Sequence, residues 1–179
     1  NLEKAEAVLA LLEASSNGKF KVKGVEKKRR KKNPSPPFIT STMQQESIRK
    51  LGFTAQRTMR IAHQLYEGIS IGAEAVGLIT YMRTDSLNLS NQSIQELREY
   101  VSSRYSASDV PDEIRVFKTR SKNAQEAHEA IRPTSFQRDP DSVKQYLNEE
   151  QFRLYSLIWN RALASQMTQA IYEDMQISF

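Results

Sequence analysis

Apolar residues recur every three or four positions along much of the chain, which is the spacing of an amphipathic α-helix. In the first such stretch, Leu2, Ala5, Leu9 and Leu12 share one helical face. The fold is therefore expected to be mainly helical. The predicted helices cover 2–14, 42–50, 55–66, 91–104, 124–131, 141–147 and 149 to about 166.

Two of these helices form a helix-turn-helix pattern. Thr40-Ser41-Thr42 stand at capping-box spacing before the first, Gly52 can take the left-handed conformation past its end, and Thr54 can cap the second. Arg57 and Arg60 lie three residues apart on the second helix, away from its apolar face. They are candidate DNA-binding residues if the pair is a nucleic-acid-binding unit. The alternative is an ordinary corner between two helices.

Short stretches that alternate apolar and polar residues, or that are rich in β-prone apolar residues, predict strands. A Pro-rich break at 33–37 is a candidate domain boundary. The predicted strands cover 19–26, 77–82, 114–118 and 171–179, and residues 67–77 are predicted to form a loop.

This arrangement places a helical body, 38–166, between two strand-bearing ends, 1–37 and 167–179. The ends are expected to lie together and to form one incomplete β-containing domain, into which the helical body is inserted. Because the sequence begins at Asn1 rather than Met and stops within a predicted strand, we expect it to be a fragment of a longer protein.

Composition narrows the chemistry that the chain can perform. Apolar residues make up 39% and charged residues 26%, which fits a globular protein. No apolar run approaches 18 residues, so no transmembrane helix is expected. With no Cys and only two His, the sequence excludes Cys-ligated zinc, iron–sulfur clusters, thiol chemistry and a His-rich metal site.

Charge is concentrated in one place. Residues 19–32 hold nine Lys or Arg and one Glu, a net charge of +8, whereas the whole chain carries +5 and the remaining residues therefore carry −3. Such a stretch is typical of contact with a polyanion, most often nucleic acid. The alternative is a solvated surface or arm.

Tyr81 is the first candidate for chemistry. It lies in a β-prone run that is followed directly by a polar cluster of Arg83, Thr84, Asp85 and Ser86. In an extended chain Tyr81 and Arg83 share a face. A phenol oxygen can attack phosphorus while a guanidinium neutralises charge on the phosphate oxygens. The other six Tyr lie in helical or strand patterns that packing in the core explains, and the alternative for Tyr81 is a strand residue beside a surface ion pair.

The second candidate is the pair His128 and Arg132. They are four residues apart, so on a helix they lie on one face. Such a pair can bind a phosphate, or the His can transfer a proton. A helix with a solvent-exposed His–Arg face is the alternative.

Five blocks then occur in order: PFITSTMQQ (37–45), LGFTAQRTM (51–59), QLYEG (64–68), GLITYMRTDSLNLS (77–90) and QEAHEAIRPT (125–134). In order and spacing, over about 34–168, the chain resembles bacterial DNA topoisomerase I, a family of type IA enzymes. The fourth and fifth blocks together are highly specific. The resemblance implies a mainly α fold with minor β, in which a helical catalytic-tyrosine domain with a helix-turn-helix-like unit is inserted into an incomplete β-containing arch domain.

The resemblance also implies roles for individual residues. Tyr81 is the expected nucleophile, which cuts one DNA strand and keeps a 5′-phosphotyrosine link, and Arg83 is expected to assist at the scissile phosphate. His128 and Arg132 are expected near the strand being cut. A strand passes through the gap and the break is resealed, which relaxes negative supercoils without ATP. Further candidates for DNA binding or phosphate positioning are Thr80, Thr84, Asp85, Arg57 and Arg60.

Family members also carry an acidic, Mg²⁺-binding toprim domain that this sequence lacks. Mg²⁺ is therefore expected to bind outside this fragment, with no metal site within it and little or no turnover by the fragment alone. Expected partners are single-stranded DNA and the missing domains of the same chain, in the bacterial cytoplasm at the chromosome, with no membrane. The alternatives are a non-catalytic helix-turn-helix nucleic-acid-binding module and a purely structural arch with no DNA affinity.

Overall fold

The computed structural model describes residues 2–17, 19–117 and 129–179. They form a mainly α structure with minor β, divided into two compact units, Asn1–Lys32 with Ala170–Phe179 and Asn33–Gln169. In chain order the elements are α1 (Leu2–Ser16), β1 (Gly24–Lys32), α2 (Thr40–Leu51), α3 (Ala55–Glu67), β2 (Ile69–Ile71), β3 (Glu74–Val76), α4 (Asn91–Arg104), α5 (Pro140–Val143), α6 (Glu149–Ser165) and β4 (Ala170–Ser178), with single 3₁₀ turns at Ala107–Asp109 and Lys144–Tyr146.

The first unit contains α1 and a two-stranded antiparallel ribbon. β1 pairs with β4 along its whole length, from Gly24 opposite Ser178 to Lys32 opposite Ala170. The helix over 2–14 and the strand over 171–179 are thus confirmed, but the strand predicted over 19–26 is wrong in position. The strand instead runs through the basic residues, because acidic residues on β4 oppose them across the ribbon. Arg30 pairs with Asp174 at 3.1 Å and Arg29 with Glu173 at 3.7 Å.

The second unit has an apolar core built mainly from α2, α3, α4 and α6. Trp159 of α6 is buried in this core, with its ring edge to face against Tyr100 of α4 at 5.3 Å between centroids. The buried side chains of α6 follow helical spacing. They are Leu154, Tyr155, Ile158, Trp159, Ala162 and Leu163.

Local capping sets most helix bounds in this unit, as predicted. The Thr54 hydroxyl accepts a hydrogen bond from the Arg57 N–H at the start of α3, and Gly52 ends α2 at φ 70°, ψ 20°. Asn148 and Gln151 form a reciprocal capping box on α6. α2 begins two residues earlier than predicted, since Thr42 lies in its first turn and its hydroxyl accepts from the Ile39 N–H at 3.1 Å.

Three predictions for the intervening segments are wrong. The loop predicted over 67–77 contains the hairpin β2–β3, with Gly72 at φ 66° in its turn. The strand predicted over 77–82 is an extended segment whose only bridge within the described residues joins Ile79 to Pro133. No regular structure forms over 114–117. A β-prone run becomes a strand only where a neighbour pairs with it, and these runs have at most a single bridge.

The helix predicted over 124–131 is also wrong where it can be judged. Residues 124–128 lie outside the described residues, but 129–131 are not helical. Ile131 instead forms an antiparallel bridge with Phe38, and its N–H donates to the Phe38 carbonyl at 2.8 Å. The backbone groups that a helix would use are thus paired with a distant segment.

Candidate active site

The segment 77–86 that carries Tyr81 is fixed by backbone hydrogen bonds to three other parts of the chain, α3, residues 132–134 and the start of α2. The Leu78 N–H donates to the Leu65 carbonyl of α3 at 2.7 Å. On another side the Thr80 N–H donates to the Arg132 carbonyl at 2.9 Å, and the Thr134 N–H donates to the Leu78 carbonyl at 3.0 Å. The segment therefore has a defined conformation although it belongs to no sheet.

Side chains alternate between solvent and core along this segment. Met82, Thr84 and Ser86 are buried, whereas the side chains between them are exposed. Tyr81 and Arg83 thus lie on the same, exposed side, as their two-residue spacing predicted, and Asp85 follows on that side. In the part of the chain that the structure describes, the Arg83 guanidinium forms no ion pair, so its charge is available to an anion.

Tyr81 is 43% exposed, and its ring packs edge to face against Tyr66 with 5.4 Å between centroids. Tyr155 shows the opposite environment, since its hydroxyl donates to the Arg138 carbonyl at 2.6 Å and burial raises the pKa of its phenol. The expectation that six other Tyr pack in the core is wrong: only Tyr100 and Tyr155 are buried among them. The remaining four, Tyr66, Tyr105, Tyr146 and Tyr172, are exposed.

The two threonines beside Tyr81 have their polar groups engaged within the protein. The Thr80 hydroxyl donates to the Ala130 carbonyl at 2.8 Å and accepts from the Arg132 N–H at 3.0 Å. The Thr84 hydroxyl accepts from the Ser86 N–H at 3.0 Å, and Thr84 is buried. Their hydrogen bonds hold the segment in place, while a contact of either with DNA stays a prediction.

Arg132 is not part of a helix and lies against Glu129. Its Nε donates to the Glu129 carboxylate at 2.6 Å, and its Nη2 forms an ion pair with the same carboxylate oxygen at 2.6 Å. Its Nη1 donates to the Pro133 carbonyl at 2.9 Å. Burial opposes ionisation of Glu129, but hydrogen bonds from Arg132 and Ser90 outweigh it and leave the pKa of Glu129 below its ordinary value. His128 lies outside the described residues, so the face predicted for the pair stays a prediction. Arg132 itself is not in a helix, because it follows the β-bridge at Ile131.

Arg57 and Arg60 lie on the exposed face of α3, away from the core, as predicted. Both pair with Glu150 at the start of α6: Arg57 contacts its carboxylate directly, and Arg60 lies 3.7 Å from it. The hydrogen bond from Arg57 lowers the pKa of the Glu150 carboxyl. The two cations are therefore partly neutralised, which weakens the view of α3 as a DNA-recognition helix.

Comparison with known proteins decides the family. A family model described as DNA topoisomerase matches residues 1–179. The chain belongs to the DNA topoisomerase family.

Named relatives agree with this assignment. DNA topoisomerase 1 of Xylella fastidiosa (strain 9a5c) is 52% identical over 97% of this chain, and that of Campylobacter jejuni is 42% identical over 93%. These alignments cover 21% and 24% of the relatives, so the chain spans about a fifth to a quarter of their length. The structure of full-length topoisomerase I from Thermotoga maritima is similar to that of this chain, with a TM-score of 0.73 and 40% sequence identity. The match covers 87% of this chain and 24% of that one.

The sequence patterns did not indicate a role at the site for two residues of this topoisomerase segment, Thr40 and Glu129. Thr40 was assigned to helix capping, but its hydroxyl is hydrogen bonded to the backbone at residues 82–84. Glu129 stands within the QEAHEAIRPT block, yet its contact with Arg132 was not predicted. The resemblance blocks contained both residues, but only the folded chain brings Thr40 to residues 82–84.

No metal centre is formed by the residues that the structure describes. Across 2–17, 19–117 and 129–179, no group of three or more His, Cys, Asp or Glu is placed to hold a metal ion. The described residues therefore do not fit a Mg²⁺ site. Among the same residues, no helix is long and apolar enough to cross a membrane.

Proposed function

We propose that this chain is the catalytic-tyrosine part of a type IA DNA topoisomerase, which cleaves one strand of DNA, passes a strand through the gap and reseals it. The observation that carries the proposal is that two exposed side chains, Tyr81 and Arg83, lie on the same side of a segment fixed by hydrogen bonds to α3 and to residues 130–134. An exposed phenol near a guanidinium that forms no ion pair among the described residues suits attack on a phosphodiester.

In the cleavage step the Tyr81 phenol loses its proton and its oxygen attacks phosphorus. The bond between phosphorus and the 3′ oxygen breaks, and this oxygen takes up a proton to leave a 3′-hydroxyl. The product is a 5′-phosphotyrosine ester. Because one phosphate ester replaces another, the bond energy is retained and religation is the reverse step without ATP. Strand passage between the two steps relaxes negative supercoils.

Arg83 is proposed to neutralise the non-bridging phosphate oxygens as charge develops on them. Arg132 and His128 are proposed to position the cleaved strand, with Arg132 oriented by its hydrogen bond and ion pair with Glu129. Asp85 lies on the same exposed side as Tyr81 and is proposed to contact the strand. Thr80 and Thr84 act through the backbone conformation that their hydroxyls maintain.

Other domains of the longer protein are proposed to supply the remaining machinery. A free tyrosine has a pKa of about 10, so its attack requires activation and phosphate neutralisation beyond what one arginine provides. We assign these tasks, and Mg²⁺ binding, to the toprim domain outside this chain. The chain alone is then expected to show little or no turnover. In the cell the complete enzyme would act on chromosomal DNA in the bacterial cytoplasm.

The test is formation of a covalent DNA adduct by the full-length protein. A labelled single-stranded oligonucleotide should become attached to the wild type and to Tyr66→Phe, a matched change at the neighbouring tyrosine, but not to Tyr81→Phe. Attachment through the 5′-phosphate should leave a free 3′-hydroxyl on the released piece. Adducts that persist in Tyr81→Phe would overturn the assignment. DNA binding without any adduct would favour the helix-turn-helix module, and no DNA affinity at any salt concentration would favour a structural arch.

A further inference from the structure

The hydroxyl of Thr40 is hydrogen bonded to both peptide groups that flank Arg83. It donates to the Met82 carbonyl at 2.8 Å, with the Thr84 carbonyl as a second acceptor at 3.1 Å. It accepts from the Thr84 N–H at 2.9 Å. The Met82 carbonyl belongs to the peptide before Arg83, and the Thr84 N–H to the peptide after it. One side chain therefore restricts the backbone on both sides of the exposed guanidinium.

The Thr40 backbone adds a further contact to the same place. Its N–H, one of the free donors in the first turn of α2, donates to the Thr84 carbonyl at 3.0 Å. Thr40 thus contacts the backbone of residues 82–84 in two ways: its N–H donates a hydrogen bond, and its hydroxyl both donates and accepts. No other side chain among the described residues makes this set of contacts with the segment.

Thr40 is flanked along the chain by residues that are packed in the core of the unit. It lies between Phe38 and Met43, which are both fully buried. Phe38 is joined to Ile131 by a β-bridge, so the same region also contacts the segment that carries Arg132. The Thr40 hydroxyl is not needed to cap its own helix, because Thr42 accepts the N–H of Ile39. Its hydrogen bonds serve the segment with Arg83 instead.

We propose that Thr40 is a positioning residue for strand cleavage, which fixes the backbone of Arg83 so that its guanidinium meets the scissile phosphate. This proposal rests on the proposed function. If Thr40 acts through Arg83, loss of the Thr40 hydroxyl leaves the charge of Arg83 present but displaces its guanidinium. A displaced guanidinium can still attract DNA, whereas it stabilises the transition state poorly, since that stabilisation depends on geometry. Cleavage should therefore fall much more than DNA affinity.

The experiment compares variants of the full-length protein by single-turnover cleavage of a labelled oligonucleotide and by the Kd for single-stranded DNA. Thr40→Val keeps the shape of the side chain and removes its hydrogen bonds. It should lower the cleavage rate about 10-fold to 100-fold and change Kd less than about 3-fold. Thr40→Ser restores the hydroxyl and should recover most of the rate. Thr42→Val, which removes the neighbouring cap of α2, is the matched control and should leave the ratio of cleavage rate to affinity unchanged.

A double-mutant cycle with Arg83→Ala separates positioning from general destabilisation. In the Arg83→Ala background, Thr40→Val should cause little further loss of cleavage. Thr40→Ala, a second variant that also lacks the hydroxyl, should behave in the same way. Additive losses, or equal losses of affinity and cleavage, would overturn the role of Thr40. Failure of the wild type to form an adduct at Tyr81 would instead overturn the proposed function, so the two failures can be told apart.

Discussion

The rings of Tyr66 and Tyr81 meet edge to face, with centroids 5.4 Å apart and planes at 64°. Tyr66 contacts the Tyr81 segment through its backbone as well as its ring, because its carbonyl oxygen lies close to Gly77. A Cβ at Gly77 would lie 2.7 Å from that oxygen. The C-terminal end of α3 and the Tyr81 segment are therefore in contact at three places: the paired rings, the Gly77 backbone and the hydrogen bond from the Leu78 N–H to the Leu65 carbonyl.

Gly77→Ala should destabilise the chain by about 1–3 kcal/mol, the usual cost of overpacking, because a backbone carbonyl cannot move aside as a side chain can. The measurement is the free energy of unfolding by denaturant. Gly24→Ala is the matched control, since no atom lies within 4 Å of a Cβ at Gly24. Equal stability of the two variants would show that the segment can shift away from Tyr66.

Arg83→Ala in the full-length protein should lower the rate of strand cleavage by about 100-fold or more, while DNA affinity falls less. The reason is that its charge acts mainly on the transition state at the scissile phosphate. Arg83→Lys should rescue only part of the rate, since Lys offers a point charge without the planar fork. The measurement is cleavage rate beside single-strand affinity for each variant. Losses in equal proportion would make Arg83 an anchor for the bound strand.

Sequence patterns predicted what local interactions determine. Thr54, Ser90 and Asn148 cap helices with hydrogen bonds to residues three positions away, so their helices were predicted within about two residues. The Tyr81 segment could not be predicted in this way. Its shape depends on Thr40 and Arg132, which lie 44 residues from Thr84 and 52 from Thr80 respectively.

The strand in the basic stretch was misplaced for the same reason. Its register depends on β4, whose residue Asp174 is 144 positions from Arg30. At the site, residue type and spacing were enough to single out Tyr81 and Arg83. They could not reveal Thr40 or Glu129, because the roles of these residues appear only when distant backbone segments are brought together.

Glu129→Gln should destabilise the chain at neutral pH by about 1–3 kcal/mol, because it removes the charge that strengthens a hydrogen bond and an ion pair with the largely buried Arg132. The pKa of Glu129 is lowered in the folded state, so its contribution is present above the ordinary pKa and is lost as the pH falls through the folded pKa. The stability difference between wild type and variant should thus be constant above about pH 5 and shrink below about pH 4.

The measurement for Glu129 is denaturant unfolding of both proteins across this pH range. Glu99→Gln is the control, since Glu99 is exposed and accepts a hydrogen bond only from the nearby Gln95 among the described residues. It should change stability little at any pH. A difference for Glu129→Gln that persists unchanged at low pH would mean that the ionised pair contributes nothing and that the loss is one of packing.

The ribbon of β1 and β4 indicates which basic residues of 19–32 would contact DNA, if this stretch does so. Arg29 and Arg30 pair with acids on β4, whereas Lys27 and Lys31 form no ion pair within the described residues and lie on one face of the strand. If this face contacts single-stranded DNA, neutralising both Lys should reduce the slope of log affinity against log salt concentration by about 1.4.

The variant that tests this is Lys27→Gln with Lys31→Gln in the full-length protein, measured by single-strand affinity over a series of salt concentrations. Its matched control is Lys4→Gln with Lys144→Gln, which removes the same charge from α1 and from the second unit. A change of slope confined to the ribbon variant indicates direct phosphate contact, because release of counterions requires that the neutralised charge lie at the DNA. Equal, small changes in both variants would reflect net charge alone and would make the basic stretch a solvated surface.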